Sequence, residues 1–200
     1  MLSEISDDKR SLQGVALLLV SLGVFFFASL ILYAIYVVTR ITPDAGPIIP
    51  FYVPPSFLLT TILLVTISIL LHLSVLAARH QRLVDLHRYI VLALVLSLCF
   101  FVVQAIGLWW MIQQLLQPSQ TIKNLYGFTF FLVIVHALHV VGGVAGLIFL
   151  IFGLHRHSYD HERYFPVRFC AIYWHFLDVV WVIMLACFAL AAYMSKTGLH

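Results

Sequence analysis

The chain has 200 residues, 63% of them hydrophobic and 10% charged, with a formal net charge of +3. Soluble domains carry about 25% charged residues, and a soluble core of this length has no room for so much apolar surface. The totals exclude a water-soluble enzyme or binding domain and predict an all-α polytopic membrane protein, with no nucleic-acid partner.

Five apolar runs define the expected helices of one transmembrane domain over residues 1–200. The first, 12–39, follows an acidic start (Glu4, Asp7, Asp8) and the basic pair Lys9-Arg10. It is too long for a secretory signal and no cleavage pattern follows it, so it is read as a membrane span. Residues 40–55 hold six of the prolines and glycines (Pro43, Gly46, Pro47, Pro50, Pro54, Pro55) and are predicted to be non-helical, with Pro54-Pro55 leading into a helix.

The second run, 56–78, contains His72 near its end, close enough to the interface that no role is assigned to it. A basic linker (Arg79, His80, Arg82, Asp85, His87, Arg88) precedes the third run, 89–116, which contains Gln104 and the pair Trp109-Trp110. A polar hinge at 117–123 leads to the fourth run, 125–154. A connector rich in histidine (His155, His157, His161) leads to the fifth, 167–194. Each run exceeds the roughly 20 residues that cross about 30 Å of hydrocarbon. No internal repeat appears, which gives no support to a transporter built from inverted halves.

Lysine and arginine placement predicts the orientation. With the N-terminus inside, Lys9, Arg10, Arg79, Arg82, Arg88, Arg156, Arg163 and Arg168 share the inner side, whereas Arg40, Lys123 and Lys196 lie outside. The C-terminus is then outside, and Trp109 and Trp110 fall near the outer interface. Cys99, Cys170 and Cys187 have no CxxC spacing and lie in or beside apolar runs, so they are expected to pack and not to form a disulfide or metal framework.

Chemistry concentrates in the fifth run. Asp178 stands in an almost wholly apolar stretch, about 16 Å along its helix at a rise of 1.5 Å per residue, near mid-membrane. An isolated carboxylate at that depth is costly and needs neutralisation or a partner. His175, one turn earlier, shares its helix face. His136 and His139 of the fourth run reach the same depth, so a buried polar network of His136, His139, His175, Asp178 and Gln104 is expected. The alternatives for these groups are proton handling and a metal or haem site. Gly142, Gly143 and Gly146 lie on the His139 side of the fourth helix, and Gly142 and Gly146 form a small-xxx-small pair suited to close helix packing. The tryptophans Trp174 and Trp181 are expected to pack between helices.

The segment Tyr173-Trp174-His175-Phe176-Leu177-Asp178-Val179-Val180-Trp181 closely resembles the last-helix signature of subunit III of the haem-copper respiratory oxidases. His136-Ala137-Leu138-His139-Val140 with Gly143 is similar to the histidine and glycine motif of that family's penultimate helix, and Gln104 stands where the family carries a glutamine. The resemblance covers residues 88–194 and extends weakly over the first two helices, and five spans match its short form.

The resemblance implies a non-catalytic core subunit beside subunits I and II of a proton-pumping oxidase that reduces dioxygen to water. Haem and copper are expected on those partners and none on this chain. It also implies bound phospholipid, support of proton uptake and active-site durability, and a bacterial inner-membrane location, with a larger supercomplex as a further assembly. On this analogy the four ionisable residues are structural, with no catalytic residue and no metal ligand on the chain. Two positions depart from the family: Leu22, beside Ser21, and Gly107 stand where glutamates are usual, so roles attached to those carboxylates have no counterpart here. The departures keep open a divergent assembly, such as a nitric oxide reductase-like or quinol oxidase complex. A haem- or metal-binding membrane protein using His136, His139 and His175 is the other alternative.

Overall fold

The computed structural model describes residues 2–40, 51–116, 123–155 and 165–197. The expected proline-rich connector at 41–50, the hinge at 117–122 and the histidine-rich connector at 156–164 lie outside the described residues.

Five helices account for almost everything described: α1 (Leu2–Arg40), α2 (Ser56–Arg79), α3 (Leu83–Leu116), α4 (Lys123–His155) and α5 (Phe165–Thr197). All five are long and apolar enough to cross a membrane. The shortest, α2, has 24 residues, or about 36 Å of rise. It begins where the sequence places it, with Pro55 as the residue before the first turn and the Phe57 amide donating to Pro54 O at 3.0 Å.

The turn after α2 is tighter than the expected basic linker. Gln81 takes a left-handed conformation with φ 60. The Arg82 amide then donates to Ala77 O at 3.0 Å and the Gln81 amide to Ala78 O at 3.3 Å. These are the two bonds of a Schellman cap, a site that usually holds glycine. Because this cap reverses the chain within three residues, α3 starts at Leu83, and Asp85, His87 and Arg88 belong to helix and not to linker. Asp85 lies in the first turn of α3, where the positive end of the helix dipole favours a carboxylate.

In the bundle, α2 packs on α3 and α5, α3 on α4, and α4 on α5, closing a ring of four helices. Trp174, Trp181, Phe57, Phe100, Leu64 and Ile67 fill its centre. Outside the ring, α1 lies on α4 and α5, burying Phe26, Leu30, Tyr33 and Val37 at helical spacing. Its opposite side exposes Leu17, Val20, Val24 and Phe27. So large an apolar exterior is what a hydrocarbon solvent permits and water does not.

One end of the bundle is sealed by polar contacts between distant segments. The Phe51 amide donates to Ser195 Oγ at 2.9 Å and the Tyr52 amide to Tyr126 Oη at 3.1 Å. Lys196 Nζ sits 4.8 Å from the centre of the Tyr52 ring. The α2–α3 turn lies at the other end.

Candidate functional site

Polar side chains are scarce in the interior, and the structure sorts them into two groups along α5. The first lies between α2 and α5. Asp178 is 8% exposed, and its Oδ1 has no hydrogen-bond partner among the described residues. The Ser68 hydroxyl from α2 is hydrogen-bonded to His175 Nδ1, three residues before Asp178 on α5. The half-buried His175 ring then has His72 beside it, with ring centroids 6.2 Å apart. His72 itself is exposed on the surface of α2.

The second group lies between α4, α5 and α1. His136 is fully buried, with the Trp181 ring 5.1 Å away and the Phe26 ring 6.2 Å away, centre to centre. Neither of its ring nitrogens has a hydrogen-bond partner among the described residues. His139 places Nδ1 2.7 Å from Val135 O, on its own helix, and stands edge-on to Phe26 at 5.3 Å. Tyr173 Oη donates to His139 O at 3.0 Å, and Trp174 Nε1 reaches Gly143 O at 3.4 Å. Trp181 Nε1 donates to Thr61 Oγ1 at 2.9 Å.

The expected single network thus becomes two clusters. His175 of α5, on the helix face of Asp178, bonds Ser68 of α2, whereas His136 and His139 of α4 meet aromatic rings and a helical carbonyl. Gln104 of α3 is 2% exposed, and both its amide atoms are without partners among the described residues. One turn away, a Cβ at Gly107 would lie 2.6 Å from Ser56 Oγ and 2.9 Å from Phe57 Cε1.

Helix packing on α4 also differs in detail from the expected small-residue pair. A Cβ at Gly143 would lie 2.9 Å from Trp174 Cε2, but Gly142 and Gly146 would make only ordinary contacts with Tyr173 Oη (3.4 Å) and Cys170 Sγ (3.6 Å). Gly143 is the residue on which the α4–α5 approach depends. Nearby, an open apolar groove of about 490 Å³ runs between α1, α4 and α5, lined by Leu18, Gly146, Phe149, Cys170 and Tyr173 among others.

Ser68, which the sequence does not single out, and His72, to which it assigns no role, both lie beside His175. Serine inside a membrane helix ordinarily bonds its own backbone, and His72 carries no motif. Among the described residues, no group of three or more His, Cys, Asp or Glu side chains is placed to hold a metal ion.

Residues 9–193 match the family model of cytochrome c oxidase subunit III. The chain is similar to cytochrome c oxidase subunit 3 of Paracentrotus lividus, with 32% identity over 151 residues, covering 72% of this chain and 53% of that protein. It is similar to the protein of the same name from Heterololigo bleekeri, 28% identical over 190 residues, covering 88% of this chain and 68% of the relative. A bacterial relative of that name, from Corynebacterium diphtheriae, is 28% identical over 130 residues, covering 64% of this chain and 62% of the relative. The matches span between 53% and 68% of the length of these proteins.

Proposed function

Because the chain belongs to the cytochrome c oxidase subunit III family, we propose that it is a non-catalytic membrane subunit of a haem-copper terminal oxidase. It docks beside subunits I and II, which carry the haems and copper and reduce dioxygen to water while pumping protons. The observation that carries this reading is the family match over 9–193, laid on five helices each able to span a membrane. In this reading the redox chemistry belongs to the partner subunits. The subunit's own contribution is lipid binding, support of proton uptake and protection of the active site during turnover. The groove between α1, α4 and α5 has the apolar lining an acyl chain would need.

The protein sits in the inner membrane of a bacterium with its N-terminus in the cytoplasm. Eight of its eleven lysines and arginines are then on the inner side, which supports that orientation. The assembly is tested by purifying the tagged chain from its native membrane in mild detergent. Subunits I and II should co-elute with a haem spectrum, and the chain separated from them should be colourless. A Soret band retained by the separated chain would overturn the reading.

A further inference from the structure

We propose that the turn between α2 and α3 is a binding site for the headgroup of a phospholipid bearing a primary ammonium, of the phosphatidylethanolamine class. A cavity of about 270 Å³ opens there. Leu73, Leu76 and Ala77 of α2 supply the apolar part of its lining, and His80, Arg82 and Asp85 the polar part. Leu73 lies about 9 Å along the axis from Arg79, the last residue of α2. The cavity therefore runs from the polar boundary of a bilayer into the edge of its hydrocarbon. That is the depth range of a headgroup, its glycerol and the first acyl carbons.

The polar groups are matched to a zwitterion. Arg82 is exposed and Asp85 half-buried, and among the described residues no ion pair joins them to each other or to another side chain. The guanidinium presents a fork of donors suited to a phosphodiester and has no acceptor. The Asp85 carboxylate offers acceptors alone. His80 adds one more. Its Nδ1 lies 2.8 Å from Leu76 O, and a carbonyl only accepts, so Nδ1 carries the hydrogen and Nε2 of the neutral ring is bare. A primary ammonium has N–H groups for both the carboxylate and Nε2. A choline headgroup has no N–H to give. A glycerol headgroup leaves the lipid anionic, and it meets Asp85 as a like charge. The site thus selects by donor chemistry and by charge together.

The backbone holds these groups in place. With Gln81 in the left-handed region, the His80 amide donates to Leu76 O at 3.1 Å and the Arg82 amide to Ala77 O at 3.0 Å. Both residues are thereby pinned to the last turns of α2. The Leu86 amide donates to Arg82 O at 2.9 Å, which ties Arg82 to the first turn of α3 and to Asp85 within it. Little backbone ordering is left for the lipid to impose. A lone arginine at an interface attracts any anionic lipid; the carboxylate and the bare Nε2 are what turn attraction into selection. This cavity is lined by different residues from the groove between α1, α4 and α5. The site deepens the lipid binding proposed above and rests on the chain crossing a membrane. It can fail while co-purification with an oxidase succeeds.

The test is photolabelling of the full chain in its native assembly, reconstituted in bilayers of mixed headgroups. The probes share one acyl chain, with a diazirine near its glycerol end, and carry an ethanolamine, choline or glycerol headgroup. Labelled peptides are mapped by mass spectrometry. The ethanolamine probe should label residues 73–89 about three- to fivefold more than either other probe, the range of an exposed ion pair. Arg82→Gln should lower labelling by the ethanolamine probe about threefold, and Asp85→Asn should abolish its advantage over the glycerol probe. Excess inorganic phosphate or soluble glycerophosphoethanolamine should not compete; loss of labelling with either would make a free phosphate compound the occupant and overturn the lipid. Equal labelling by the three probes on the unsubstituted chain would overturn the proposal even if a variant does not assemble, and would leave an unselective lipid shell. An ethanolamine preference that survives both substitutions would overturn it too.

Discussion

At position 178, removing the charge and removing the hydrogen-bonding group are different perturbations. Asn keeps a hydrogen-bonding group at nearly the same volume. Leu removes it and puts a branched side chain in a site where Asp178 is 8% exposed. Overpacking a buried site costs about 1–3 kcal/mol. Asp178→Asn should therefore keep the chain in its assembly, whereas Asp178→Leu should lower its thermal unfolding midpoint in detergent and its recovery with partner subunits. Equal unfolding midpoints for the two variants would show that the bundle does not depend on the group at this position. The same reasoning, applied to Gly107, explains one departure from the family pattern. Ser56 Oγ and the Phe57 ring occupy the space a side chain would need, and that ring is fully buried and edge-on to Trp181 at 5.4 Å. A glutamate has no room there. Gly107→Ala should destabilise the bundle by about 1–3 kcal/mol through overpacking, read as a lowered unfolding midpoint in detergent.

At the scale of the helix, local chemistry decides what the bulk pattern leaves open. The α2–α3 reversal places a non-glycine residue in the left-handed region, where an L side chain costs about 1–2 kcal/mol. Comparing Gln81→Gly with Gln81→Ala removes the side chain in both and changes only the backbone freedom. The glycine variant should unfold at the higher temperature, by about 1 kcal/mol of stability. Hydropathy alone made the five helices legible, since each apolar run exceeds a bilayer's thickness. It did not mark the start of α3, because Asp85, His87 and Arg88 read as linker until the Schellman cap explains why the turn can be three residues long. Asp178, His175, His136 and His139 were legible as candidates because ionisable groups are rare in such runs. Their partners were not. Ser68 looks like Thr61, Thr66, Ser74 and Ser97, all of which bond carbonyls of their own helices. Chain adjacency pointed from α5 toward α4, but α5 also packs on α2, and His175 finds its partner on that side.

For the molecule as a whole, the two ends of the bundle are distinguishable without reference to any loop outside the described residues. One end carries the His80–Arg82 reversal. The other carries Phe51, Tyr52, Tyr126, Ser195 and Lys196, tied by two hydrogen bonds and a cation–π contact. Arg82 and Lys196 are both exposed, and a helix of 24 residues separates their levels by about 36 Å, more than the hydrocarbon thickness. They must lie on opposite sides of the membrane. The proposed orientation puts Arg82 inside, at the end of the bundle with the basic majority. With Cys99, Cys170 and Cys187 replaced by alanine, Arg82→Cys should react with a membrane-impermeant maleimide in inside-out vesicles and be protected in right-side-out ones, and Lys196→Cys should show the reverse. The reverse pattern at both positions would invert the orientation but leave the bundle intact. Labelling of both from one side would contradict the fold itself, because the seal at the Tyr52–Lys196 end and the cap at the Arg82 end cannot then be the two termini of the same spanning helices.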